Sequence, residues 1–172
     1  MLNVGVIPGA VGQTWNGIPA TCHFATVYYL LSAEFRREPT PEDYARLGNP
    51  TLVLRQIATM GRPVREPEGE PLVFSPGTIL VFKNGREPAH SCVAKQINLL
   101  GGYNQANWFT RQGRPNDYSE HRTDEIRWLD SKSHKNKVEG NVGQECTLVQ
   151  VPEIHARAKL RALYPKTDFR KR

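Results

Sequence analysis

Three features of the sequence predict an α+β fold. Apolar residues recur with helical spacing up to about residue 61, short β-rich apolar runs follow from residue 78 to 151, and a charged, proline-rich stretch separates the two. The expected architecture is an N-terminal helical lobe whose first helix packs on an antiparallel β-sheet. At 172 residues the chain suits one domain with a closed core.

Residues 1–20 are rich in Gly and Pro and read as an extended lead-in. The run TCHFATVYYLLSAEF then predicts a helix from Cys22, with Phe24, Val27, Tyr28, Leu31 and Phe35 on one apolar face and Cys22, Thr26, Tyr29 and Ala33 opposite. PTPEDYARLG opens with Pro and acidic residues as a short helix does, and NPTLVLRQIATMG predicts another, stopped by Gly61. These elements make up the helical lobe, residues 1–61, and RPVREPEGEPLVFSPG is the connector, residues 62–77.

The sheet lobe is expected over residues 78–151. TILVFKNG predicts a strand closed by an Asn-Gly turn, and AHSCVAKQINLLGGYNQANWF predicts two strands hinged near Gly101–Gly102, with His90 and Cys92 on one face. The polar stretch 111–141 reads as loop broken by a strand at EIRWLD, and ECTLVQV is a further strand. PEIHARAKLRALY opens a C-terminal helix, so residues 152–172 form a helix and a basic tail.

Composition narrows the function classes. With 38% hydrophobic and 23% charged residues the chain is expected to fold. A net charge of +6 and a pI near 9.4 favour an acidic partner. The basic residues are spread through RREPT, RQGRP, KSHKNK and KTDFRKR and are not gathered into one arm with stacking aromatics, so nucleic acid is not the expected partner. No apolar run approaches the ~18 residues of a membrane span, and the N-terminus lacks a signal-peptide pattern. Synthesis in a cytoplasm and export without a cleaved signal are expected. Cys22, Cys92 and Cys146 show no CxxC spacing and cannot all pair, which speaks against a disulfide-stapled domain.

Cys22 carries the chemistry. A thiol attacks as thiolate, and a helix N-terminus beside an imidazole lowers a thiol pKa. The chain later supplies His90 from a β-like run and Asn104 after a Gly-Gly hinge, fourteen residues on, a spacing that lets a strand turn and come back beside its start. A general base must reach the thiol, and a third polar group should orient the base. Gln105 and Asn107 compete with Asn104, and strand register decides among them. His23 is the weaker rival to His90, because adjacent helix residues point apart. His121, His134 and His155 lack comparable settings. Zinc on Cys22, His90 and Cys92 is the metal alternative, but no HExxH or paired CxxC signature is present, and no metal or other cofactor is expected. GNVGQ and PGAVGQ lack the lysine of a phosphate-binding loop.

The order of a helix-borne Cys22, a strand-borne His90 and then Asn104, with SPGTILVFKNGREPAHSCVAKQINLLGGYNQANWF between, resembles the papain-like cysteine peptidases. These include the bacterial CHAP- and NlpC-type cell-wall amidases and related toxin domains. Residues 13–109 carry the likeness. The resemblance implies Cys22 as nucleophile, His90 as base and later acid, and Asn104 as the group orienting His90. It further implies an oxyanion hole from the Cys22 N–H and an amide a few residues upstream, for which Asn16 is preferred to Gln13. This departs from the glutamine usual there. Trp15 and Trp108 are candidates for the substrate cleft, with core packing as their alternative role.

The expectation that follows is a cysteine hydrolase acting on amide bonds. Its substrate would be a cell-wall peptide or a target-cell protein. By analogy it would be a bacterial effector toxin exported into a target cell and held in check by an acidic immunity protein. Glutamine deamidation or acyl transfer through the same thiol is the second reading, and a non-catalytic basic nucleic-acid binder the third.

Overall fold

Helix α1, Cys22–Phe35, is the axis on which the rest is assembled. The computed structural model describes residues 14–15, 17–19, 21–69, 72–98, 105–111, 118–122, 126–129, 136–140 and 143–164. Thr21 caps α1, its hydroxyl accepting from the Phe24 N–H at 3.2 Å. The helix ends where Arg36 turns left-handed (φ 53°) and its N–H returns to the Ser32 carbonyl at 2.8 Å. Of its fourteen residues only Cys22 and Glu34 escape full burial. The single apolar face read from the sequence is thus a helix enclosed almost all round, with even His23, Thr26 and Ser32 inside.

Two short helices, α2 (Pro41–Leu47) and α3 (Pro50–Ala58), complete the helical part, each with Pro at its first position. Asn49 caps α3 by accepting from Thr51 N–H at 2.8 Å. Gly61 lies beyond the end of α3 and has another use: a Cβ there would stand 2.8 Å from the Cβ of Val149, so the chain passes the sheet at glycine distance.

The strands are β1 (Thr14–Trp15), β2 (Ile18–Pro19), β3 (Arg62–Pro63), β4 (Ile79–Asn84), β5 (Glu87–Asn98), β6 (Gln105–Arg111), β7 (Tyr118–Arg122), β8 (Lys137–Glu139) and β9 (Glu145–Val151). The pair β1-β2 stands apart, and the others form one antiparallel sheet in the order β3-β9-β4-β5-β6-β7, with β8 also on β9. Gly85 and Arg86 make a two-residue hairpin loop between β4 and β5, and Gly85 has the positive φ (61°) a II′ turn needs at its first position. Asn84 closes the strand pair with Glu87 and is the first of the turn's four residues, ahead of its two central ones. Among the described residues of EIRWLD there is one isolated bridge, Trp128 to Val138. Helix α4, Glu153–Leu163, returns to the α1 side, where Arg157 and Arg161 both bond Glu34.

The described centre of the sheet, β4, the first part of β5 and β9, is buried on both faces. Ile79, Val81, Val93, Val149 and Val151 join α1, α3 and α4 in one apolar cluster, while Leu80, Phe82, Cys92, Ala94, Cys146 and Leu148 form a second with Val64, Phe74 and Val138. This explains the unalternating ILVF run of β4. Helices α1 and α3 share one core with β4, β5 and β9, and the connector supplies β3, Val64 and Phe74. Among the described residues no helix is long and apolar enough to cross a membrane.

Candidate active site

The Cys22 thiol stands at the first helical position, half-buried, in the turn where backbone N–H groups lack helical partners. Strand β5 meets it there. The Ala94 N–H donates to Thr78 O beside β4 at 2.8 Å, so by alternation the Ser91 N–H points to the other edge of β5. Pairing of β5 with β6 begins only at Val93–Phe109, although β6 continues to Arg111 against β7. The Ser91 N–H on β5 hydrogen-bonds the sulfur of Cys22. Burial pushes the thiol pKa up, and hydrogen bonding from the backbone N–H groups of Ser91, His23 and Cys22 pulls it back only in part. The lowered pKa expected for a helix-terminal cysteine is therefore not the resting condition.

The imidazole that touches this sulfur is that of His23, with Nδ1 3.8 Å from Sγ. Its ring is enclosed beneath the first turn of α1, where Nδ1 lies 2.8 Å from Ser91 Oγ and Nε2 lies 2.8 Å from Pro88 O. Thr26 Oγ donates to Cys22 O at 3.0 Å and is 3.0 Å from Ser91 Oγ, which closes a buried hydroxyl network. Burial lowers the His23 pKa, against a smaller opposing effect of the Pro88 carbonyl, so the ring is neutral at physiological pH. The helical separation of neighbours that disfavoured His23 in the sequence does not keep it from Cys22, because both side chains turn toward β5.

His90 is buried on β5, and the peptide joining it to Ser91 borders the sulfur. Its ring is on the other side of the sheet: alternation sends Ser91 and Val93 toward α1 and His90, Cys92 and Ala94 away, and the His90 ring packs on Phe82 with centroids 5.6 Å apart. His90 and Cys92 do share a face, as their spacing implied. Asn104 and Asn16 lie outside the described residues. The strand that follows Asn104 is described, and Gln105 pairs with Asn98, eight residues from His90 along β5, or roughly 26 Å of extended chain. Asn107 stands between the pairs Ala106–Ile97 and Trp108–Ala94. Both positions thus lie opposite the part of β5 beyond Ala94. The fourteen-residue spacing was expected to bring the chain back to its start; β5 runs to Asn98, and the imidazole beside the Cys22 thiol is that of His23 while the His90 ring packs on Phe82.

Trp15 pairs with Ile18 in β1-β2, and Trp108 lies opposite Ala94 on one side and His121 on the other. His155 is exposed on α4. Cys92 and Cys146 are buried, with free thiols. Among the described residues no three His, Cys, Asp or Glu side chains converge as metal ligands, so Cys22, His90 and Cys92 do not form a zinc site in this arrangement.

The sequence signals missed were Ser91 and Thr26, polar residues at inward positions of β5 and α1. Such placement is a readable hint of a buried hydrogen-bond network. Comparison of the chain with family models, curated proteins and solved structures found no match.

Proposed function

We propose that the chain is a cysteine hydrolase that cleaves amide bonds through Cys22. The observation that carries this reading is a half-buried thiol at the first position of a buried central helix, where it faces a strand N–H and lies 3.8 Å from an imidazole nitrogen. A papain-like architecture is the finer form of the proposal. It is supported by the packing of the cysteine-bearing helix on antiparallel β4, β5 and β9.

The chemistry proceeds in two halves. An imidazole takes the thiol proton, and the sulfur attacks the substrate carbonyl carbon. The Ser91 N–H favours the charged sulfur, and in this proposal the Cys22 N–H at the helix start would donate to the developing oxyanion, with Asn16 as the sequence's candidate for a second donor. Collapse of the tetrahedral adduct breaks the C–N bond, and the amine leaves with the proton from the imidazole. Water then cleaves the thioester, releasing a carboxylic acid and restoring the thiol.

Cell-wall peptides are the first substrate class in this proposal and a protein of a target cell the second. The net charge of +6 favours the acidic polymer, and an acidic immunity protein would complement the same surface. The setting proposed is a bacterial effector exported without a cleaved signal.

Digestion of purified peptidoglycan and of a lysate proteome, read by mass spectrometry, tests the reading. Wild type should release new termini that Cys22→Ala does not, with both proteins equally folded by circular dichroism. A gain of about one dalton on an intact protein would assign the thiol to glutamine deamidation instead. Equal cleavage by Cys22→Ala would remove the thiol from the reaction.

A further inference from the structure

We infer that His23, and not His90, is the catalytic base that takes the proton of Cys22, with Pro88 and Ser91 holding its ring in the working tautomer. The inference rests on Cys22 being the nucleophile, as proposed above.

Pro88 O can only accept, so the 2.8 Å contact makes His23 Nε2 the protonated nitrogen and leaves Nδ1 with the lone pair. That lone pair faces two hydrogen donors, Ser91 Oγ at 2.8 Å and Cys22 Sγ at 3.8 Å. In the resting state the nearer Ser91 hydroxyl donates to Nδ1, and the thiol keeps its proton. Thr26, already donating to Cys22 O, presents its oxygen to Ser91 as an alternative acceptor at 3.0 Å.

Proton transfer then leaves no buried group stranded. The S–H bond breaks with its electron pair remaining on sulfur, and an N–H bond forms at Nδ1. The Ser91 hydroxyl swings its hydrogen to Thr26 Oγ and turns a lone pair to the new Nδ1–H. The imidazolium now has acceptors at both nitrogens, Pro88 O at Nε2 and the Ser91 oxygen and thiolate at Nδ1, while the thiolate is met by the Ser91 N–H. This matters because a buried imidazolium without acceptors on both sides would be strongly disfavoured. His90 has no comparable path, since its ring packs on Phe82 on the sheet face turned away from α1. Cys92, the residue after Ser91 on β5, feels the Cys22 charge.

The test is the pH profile of Cys22 alkylation by iodoacetamide, measured by peptide mass spectrometry, which needs no substrate. Wild type should show a neutral-range shoulder rising as His23 loses its proton below about pH 6.5, ahead of the alkaline rise of a bare thiol. His23→Gln should lose the shoulder and react at least about tenfold more slowly at pH 7. A shoulder kept in His23→Gln and lost in His90→Gln would overturn the inference. If His23→Gln does not fold, imidazole ¹⁵N shifts decide: replacing Cys22 by Ser should move the titration of His23, and movement of His90 alone would overturn it. Loss of the shoulder without any Cys22-dependent hydrolysis would retire the hydrolase reading and keep the proton pair. Hydrolysis with the shoulder intact in His23→Gln would do the reverse.

Discussion

Burial acts on the thiol and the imidazole at this site in opposite directions, and both are kept neutral at rest. Cys22 has its pKa raised by desolvation and His23 has its pKa lowered by the same cause. Cys92, fully enclosed and close enough to sense Cys22, has its pKa raised further still. A raised thiol pKa contributes stability that is present below the unfolded value, near pH 8.5, and is lost as pH rises toward the folded one. A lowered imidazole pKa contributes stability that is present above about pH 6.5 and is lost as pH falls toward its folded value. The urea midpoint should therefore be highest between these limits. Cys92→Ala should flatten the alkaline decline relative to wild type, and an equally steep decline in that variant would count against the buried thiol as its source.

At the scale of elements, the cap of α2 holds the first turn of α1 in place. Asp43 Oδ2 accepts from the Thr40 N–H at 2.7 Å while Thr40 Oγ accepts from Asp43 N–H at 3.3 Å, and Arg37 adds two further bonds at 3.0 and 3.3 Å. Tyr44, the next residue, donates to Phe24 O at 3.0 Å and stacks on the Phe24 ring. Burial works to raise the Asp43 pKa, but the bonds from Arg37 and Thr40 outweigh it and leave the carboxyl below its usual range. Asp43→Asn should cost about 1–2 kcal/mol at neutral pH by chemical denaturation. The difference should shrink as pH falls through the carboxylate's folded pKa, because the wild-type group then protonates. A difference constant to pH 2 would show that charge plays no part. The Pro and acidic residues that open α2 were legible in the sequence, since they act on their neighbours. The level of NQAN along β5 was not, since it depends on how far β5 runs before it turns.

At the scale of the molecule, one core spans the boundary that composition placed near residues 62–77. Leu30 is fully enclosed in the cluster that joins α1, α3 and α4 to β4, β5 and β9. Leu30→Ala should lower stability by about 2–5 kcal/mol. Fluorescence and circular dichroism should also report a single shared unfolding transition, because neither part closes a core alone. Two separated transitions would show that the two parts fold independently.

Local chemistry decided much on its own. The helix starting after Thr21, the Pro-led α2 and α3, the short β-rich runs and the α+β class depend on neighbouring residues whose propensities and caps act over a few positions. Only the folded chain decided which imidazole meets the sulfur. That pairing depends on strand register and sheet face, which move side chains by a whole strand's length or to the opposite side without altering any local pattern. His23 beside Cys22 and His90 beneath the sheet are the result.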